Sequence, residues 1–443
     1  MPIRSISSFR LSIGAILLAA ACAGSPKSGL QAGTKDVPPP PDISNIKPEN
    51  HADEPKREVS SDARKDYGAA VDFYTKQTSW NESACRSAAE QFAAVARSHG
   101  DLVEAQYMVG RSYHNCGLAK EAEEAYQAAL KKKPNHGASI SNLGELYYQA
   151  GKIDGAKKYW ESAIKANPKL SAAYVNLAML QLEELRKMKE GDAWRKLEED
   201  TRKKLSISLA IDNENVRAYT VYGLVYMEGS KKNRNRLDLA KLLLEEGEKR
   251  NKNFAPLQHA LGLLALQRNN LTDALQRFQA AVDLDGNFAE ARQNVGLISL
   301  GTRRYDVAKA QFEKVLSLQG KNYEAMIGLG IAQRGLGDLN GAEATYKKAK
   351  DLEPKRGDAY FNLGVLYKDF RASKESDLKA SQTAMRTALG YFKDFLSKDA
   401  GAEEKEEAQQ NIKDCEKFIK QIDDFQKAMA NQPAPPPAPA GGG

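Results

Sequence analysis

Residues 141–168 read SNLGELYYQAGKIDGAKKYWESAIKANP. Gly144, Ala156 and Ala163 are small, Tyr147 and Trp160 are large, Gly151 interrupts the stretch and Pro168 closes it. Apolar residues on either side of Gly151 recur at spacings of three and four, the mark of two short amphipathic helices joined by a turn. The same skeleton returns along the chain. A glycine behind an apolar residue stands at Gly110, Gly144, Gly223, Gly262, Gly296, Gly330 and Gly364, and Ala178 fills the slot after Gly144. Most steps are 34 residues; the steps from 178 to 223 and from 223 to 262 imply insertions of 11 and 5. A second-helix alanine keeps the ruler at Ala88, Ala122, Ala156, Ala240, Ala274, Ala308, Ala342 and Ala388. Four residues later comes a large side chain: Phe92, Tyr126, Trp160, Leu244, Phe278, Phe312, Tyr346 and Phe392.

This pattern resembles the tetratricopeptide repeat (TPR), whose signature runs W-x2-L-G-x2-Y, then A-x3-F, then P over about 34 residues. The resemblance covers the chain between its two low-complexity ends. It implies an all-α, right-handed superhelical solenoid of about eight to nine helix-turn-helix repeats, expected near 69–102, 103–136, 137–170, 171–215, 216–254, 255–288, 289–322, 323–356 and 357–401. No unit can bury its apolar faces alone, so units stack. Gly144, Ala156 and Trp160 then carry packing and no chemistry. Insertions lie at about 184–204 and 371–382, the first charged, helix-prone and expected to lengthen its helices and project into solvent. Segment 402–430 sets Ile412, Cys415, Ile419, Ile422 and Phe425 along one face, as a helix capping the solenoid would; a dimerising helix is the other reading.

The N-terminus, MPIRSISSFRLSIGAILLAAACAGS, joins Arg4 and Arg10 to a short apolar core, so residues 1–21 read as a signal peptide, too short for a stable membrane span. Cys22 after Ala19-Ala20-Ala21 resembles a bacterial lipobox, in which the cysteine is lipidated and becomes the mature N-terminus. The family usually has leucine three places before the cysteine, where this chain has Ala19; cleavage without lipidation is the alternative. The resemblance, with no Asp at Ala23, implies the outer membrane, lipid-anchored on the periplasmic side. Residues 22–64 are rich in Pro, Ser and charge and read as a disordered tether. About 40 such residues, at roughly 3.1 Å each when extended, reach up to about 120 Å. Residues 431–443 (NQPAPPPAPAGGG) read as a disordered tail, a spacer or docking strip.

In the TPR family the first helices line a concave groove. The residue after the glycine slot reads Arg111, Glu145, Met179, Leu224, Leu263, Leu297, Ile331 and Val365; three further on stand His114, Tyr148, Leu182, Met227, Leu266, Leu300, Arg334 and Lys368. The groove is therefore expected to be polar in its first repeats, apolar from the third to about the seventh, and charged near the end. Chaperone-type peptide-clamping repeats use Lys and Asn where this chain has Tyr107 and Arg111, so that activity is not implied. Asn142, Asn176, Asn294 and Asn362 match a family asparagine that can bond a bound peptide backbone. An apolar groove suits an amphipathic or apolar segment of another protein; the competing reading is that tight winding buries these leucines.

Cys85 and Cys116 fall at the same end of neighbouring helices, so a disulfide is reasonable and an extracytoplasmic compartment would permit it; two small buried thiols are the alternative, and Cys415 has no expected partner. His51, His99, His114, His136 and His259 form no metal-ligand spacing, and there is no CxxC pair, phosphate loop or nucleophile elbow. No cofactor is implied. GLGIAQRGLG at 328–337 lies inside a repeat and reads as packing. Net charge is +7 with Lys and Arg scattered among Asp and Glu, which argues against nucleic acid; KKNRNR at 231–236 reads as a solvated loop.

These features imply a non-enzymatic protein–protein interaction scaffold with partners in the cell envelope. The chain is similar to TPR outer-membrane lipoproteins of pilus biogenesis and gliding motility, and its length, tether and Pro/Ala tail look closer to the TPR lipoprotein of the myxobacterial adventurous-gliding complex. A pilotin-like assembly factor for a secretin or β-barrel (type IV pilus or secretion) is the alternative. A carbohydrate- or peptidoglycan-binding protein would call for aromatics along the groove, which reads aliphatic.

Overall fold

The computed structural model describes residues 59–77, 80–229, 235–375, 377–398 and 401–430. The signal segment, Cys22, nearly all of the tether, most of the KKNRNR run and the 431–443 tail lie outside the described residues. The described residues are helical, with no strand among them, and fall into two compact units, 59–287 and 288–430.

The 59–287 unit holds α1 (Ser61–Thr75), α2 (Glu82–Ser98), α3 (Val103–Asn115), α4 (Ala119–Lys132), α5 (Gly137–Gln149), α6 (Ile153–Ala166), α7 (Ser171–Lys187), α8 (Asp192–Ile211), α9 (Val216–Glu228), α10 (Arg236–Arg250), α11 (Ala255–Gln267) and α12 (Leu271–Leu284). The 288–430 unit holds α13 (Ala289–Gly301), α14 (Tyr305–Leu318), α15 (Tyr323–Gly335), α16 (Leu339–Leu352) and α17 (Asp358–Val365), which runs on as a π-helical stretch over Leu366–Arg371 and a 3₁₀ turn over Ala372–Lys374, then α18 (Leu378–Leu396) and α19 (Ala402–Ala430). Consecutive helices pack as neighbours within each unit, so each is an all-α helix-pair solenoid.

The glycine slot and the large residue of the second helix meet directly. A methyl group at Gly144 would lie 2.6 Å from the Trp160 indole nitrogen, and one at Gly262 would lie 2.6 Å from the Phe278 ring. The same overlap recurs at Gly110 with Tyr126, Gly296 with Phe312, Gly330 with Tyr346 and Gly364 with Phe392. Each ring therefore sits against a bare backbone, which is why glycine and aromatic repeat together in the sequence. Alanines fill the adjoining slot: Ala122, Ala156, Ala274, Ala308 and Ala342 are completely buried.

The turn within a pair is equally regular. Gly151 sits at φ 72°, the Gly151 amide donates to the Tyr148 carbonyl (2.9 Å) and the Lys152 amide to the Tyr147 carbonyl (2.8 Å), a Schellman stop. Asn269 (φ 61°) and Arg303 (φ 59°) take the left-handed conformation at the corresponding turns of α11 and α13, so the turn persists without glycine.

Three local expectations change. The helices begin at Ser61, inside the expected tether and eight residues ahead of 69, because the Ser60 hydroxyl accepts from the Ala63 amide (3.1 Å) and starts α1 there. Where the ruler calls for a glycine stands Lys76, and α1 stops at it. The inserted repeat has its own slot pair, Thr201 and Leu205, both completely buried. Its α7 and α8 are lengthened to 17 and 20 residues, against 13 and 14 in α5 and α6. Yet the insertion does not simply project into solvent: Trp194 is buried and its indole donates to the Leu185 carbonyl (3.2 Å). Finally, Phe425 does not join the buried face of α19. Cys415, Ile419 and Ile422 are buried there, whereas Phe425 is 52% exposed, because α19 runs past the start of the 19-residue α18.

Candidate protein-binding surface

The apolar strip expected along the first helices is not an open surface. Met179, Leu182, Leu224, Met227 and Leu263 are buried in the 59–287 unit, as are Leu297 and Leu300 in the 288–430 unit. Leu266 and Ile331 are half-buried. The physical reason is winding: α7, α9 and α11 approach one another backbone to backbone, and so do α13, α15 and α17. Side chains tie the inner helices further. Arg186 of α7 donates to Glu228 of α9 (2.7 Å) with both side chains 11% exposed, and Arg217 of α9 reaches the Met179 sulfur (3.0 Å). His259 of α11 is completely buried against Phe278, and burial, then the Arg186 charge, push it down to about 3, so its ring is neutral at neutral pH.

The asparagines do not wait for a peptide. Asn142 donates to the phenols of Tyr107 (3.2 Å) and Tyr126 (3.1 Å). Asn362 donates to the Asp358 carbonyl (2.9 Å) and accepts from Arg334 (3.4 Å). Asn176 and Asn294 are buried.

What stays accessible is the polar inner face of α3, α5 and α7, whose backbones are not packed as closely as those of α7, α9 and α11. Tyrosine rings stand there instead. Tyr107 lies 5.8 Å from Tyr126 and 5.4 Å from His136, and Tyr148 lies 5.9 Å from Trp160, measured between ring centres. Asn115 donates to the Tyr74 phenol (2.7 Å), and Tyr148 donates to Glu183 (2.6 Å). Burial raises the phenols of Tyr107 and Tyr126, so both stay protonated hydrogen-bonding groups. Amid them Arg111 is exposed, and Glu145 and Tyr148 are half-exposed. This face combines the Arg111 side chain, exposed in part while its guanidinium bonds the Tyr107 phenol, with fixed aromatic edges and a half-exposed carboxylate, a set suited to grip a polar stretch of polypeptide. By contrast, Lys368 in the other unit is spent on Asn411 (2.8 Å) and Asp414 (3.6 Å), and Arg334 lies 5.3 Å over the Phe370 ring.

Cys85 and Cys116 are joined by a disulfide, with Cα atoms 6.3 Å apart, tying the start of α2 to the end of α3. Cys415 is buried and unpaired, and burial pushes its thiol up to about 11. Among the described residues no group of side chains could hold a metal ion, and no helix is long and apolar enough to cross a membrane.

Residues 117–182 and 299–365 match one tetratricopeptide-repeat family model, and residues 80–136 match a second. These matches place tetratricopeptide repeats at residues 80–182 and 299–365. No curated protein matches its sequence. Similar solved structures include TTC0263, a thermophilic TPR protein of Thermus thermophilus, 23% identical with a TM-score of 0.38, covering 44% of this chain and 98% of that one. Pseudomonas aeruginosa pilF is 21% identical with a TM-score of 0.40, covering 58% and 99%. YrrB, described as a TPR protein with an unusual peptide-binding site, is 22% identical with a TM-score of 0.32, covering 45% and 95%. TPR repeats generally serve as protein–protein interaction scaffolds, presenting extended inner surfaces to their partners.

Proposed function

We propose that this chain is a non-enzymatic scaffold, lipid-anchored through Cys22 in the outer membrane, facing the periplasm and holding a protein partner within an envelope-spanning machine such as that of gliding motility. The observation that carries the binding reading is the accessible polar face around Arg111, Glu145 and Tyr148, beside inner helices whose apolar residues are buried. Partner binding therefore falls to polar and aromatic contacts of the first repeats rather than to an apolar strip. The envelope setting draws its support from the signal-like N-terminus, from Cys22 behind three alanines and from the Pro-rich stretch that follows. The Cys85–Cys116 disulfide is also at home in an oxidising compartment.

The test joins anchor and partner. Cys22→Ala is expected to move the protein out of the outer-membrane fraction, and crosslinking in intact cells is expected to recover one envelope protein at near-equal amounts. Retention of the alanine variant in the membrane contradicts the anchor. Absence of any reproducible adduct contradicts the scaffold, and recovery far below equal amounts points to a transient pilotin-like assembly factor instead.

A further inference from the structure

The outer face of the last helix is polar through Glu416, Lys417 and Lys420, as a free solenoid end needs for solubility, but an apolar patch stays uncovered near its end. Leu378 is 47% exposed, Phe425 52% and Met429 53%. Leu378, Phe418, Gln421, Ile422 and Phe425 line a shallow apolar pocket of about 290 Å3. Near the start of α18, Gln382 donates to the Ile419 carbonyl (3.2 Å) and to Asp423 (2.6 Å), while Lys393, nearer its end, pairs with Glu416 (3.1 Å). The two helices thus run antiparallel, and the last turns of α19 continue beyond their partner.

The spacing on that helix is specific. Cys415, Phe418, Ile422, Phe425 and Met429 step by three, four, three and four, the rhythm of a left-handed coiled-coil seam. Packing on α18 takes up Cys415, Ile419 and Ile422, which leaves Phe418 half-buried and Phe425 and Met429 exposed on a seam α18 does not fill. Charge is kept off this seam. Glu416, Lys417, Lys420, Asp423, Asp424 and Lys427 all fall at the heptad places that face away, and beyond Asp414, which pairs with Lys368 (3.6 Å), the flanking places hold Ile419, Gln421, Gln426 and Ala428. A second identical helix meets no like charge along such flanks, and a partner selected by charge finds nothing to read there.

We propose that α19 pairs with α19 of a second copy of this chain, each Phe425 seated in the apolar pocket of the other about a two-fold axis. One surface then serves both copies, as closed two-fold assembly requires, and the seam that a further repeat would cover is covered without one.

Sedimentation of the full chain carrying Cys22→Ser, which removes any lipid contribution, tests this. The expected result is a dimer at micromolar concentration. Phe425→Asp is expected to give a monomer. Ala428→Glu, at an exposed place, should raise the dimer dissociation constant at least about tenfold with an unchanged melting curve, so that loss of pairing is read apart from loss of fold. A wild-type monomer overturns the proposal, and so does a dimer that both substitutions leave intact. A monomer that dimerises only after removal of residues 431–443 overturns it too, because the tail is then the occupant of the pocket.

Discussion

Replacing Glu198 with alanine is expected to lower the stability of the 59–287 unit by about 3–5 kcal/mol. The Glu198 side chain is only 6% exposed and lies 2.8 Å from both the Arg202 and the Arg236 guanidinium. Arg236 is 18% exposed, donates to the Tyr226 carbonyl (3.1 Å) and lies 5.2 Å over the Tyr226 ring and 6.0 Å from the centre of Trp194. Backbone at Gly229 comes so close that an added methyl would sit 2.6 Å from the Arg236 Nε. The guanidinium is thus hemmed in and cannot swing into water when its carboxylate is lost, which is the condition under which breaking a buried ion pair is costly. Glu198→Gln keeps an acceptor and is expected to lose less. Replacing all three charged residues with apolar ones of similar volume should recover most of the loss. Urea titration checks the series; a Glu198→Ala loss below about 1 kcal/mol would mean that both cations rehydrate freely.

The second large effect belongs to the disulfide. Cys85 and Cys116 are 31 residues apart, and opening a loop of that size gives the unfolded chain back about 3–4 kcal/mol of conformational freedom. Cys85→Ala with Cys116→Ala is therefore expected to destabilise the first helix pairs by about that amount. Position sharpens the effect, because among the described residues α1 and α2 are the first helix pair of their unit, with stacking neighbours on one side. Hydrogen exchange should show α1 to α3 losing protection well before α9 to α12. Equal protection in the variant and the native protein would place the stability of this end elsewhere. Since α3 carries Arg111, partner recovery is expected to fall with it.

Much of the fold is legible in the sequence because the interlock that builds it is local and repeated. Gly262 and Phe278 are 16 residues apart in the chain and meet across one helix pair, so their spacing alone announces the contact. The inserted repeat hides its pair because Thr201 replaces the expected alanine and the insertion shifts the ruler. The Glu198 network is invisible for another reason: Arg236 lies 38 residues further on, and neither residue departs from an ordinary charged helix. The candidate surface is half legible. The polar character of Arg111, Glu145 and Tyr148 follows from the repeat pattern, but the burial of Leu182 and Leu224 depends on how tightly successive first helices wind, and no repeat encodes that angle in its own residues. The seam on α19 was partly readable; what the sequence lacks is where α18 begins, and that decides that Phe425 stays exposed.

On the proposed function, the polar inner face of α3 and α5 holds the partner. Site-specific photo-crosslinking tests it most directly, with a photoreactive residue placed in turn at Arg111, Glu145 and Leu263 and the adducts read in intact cells. One partner adduct is expected from positions 111 and 145 and none from 263, whose side chain is 2% exposed. An adduct from 263 with none from 111 or 145 would contradict it.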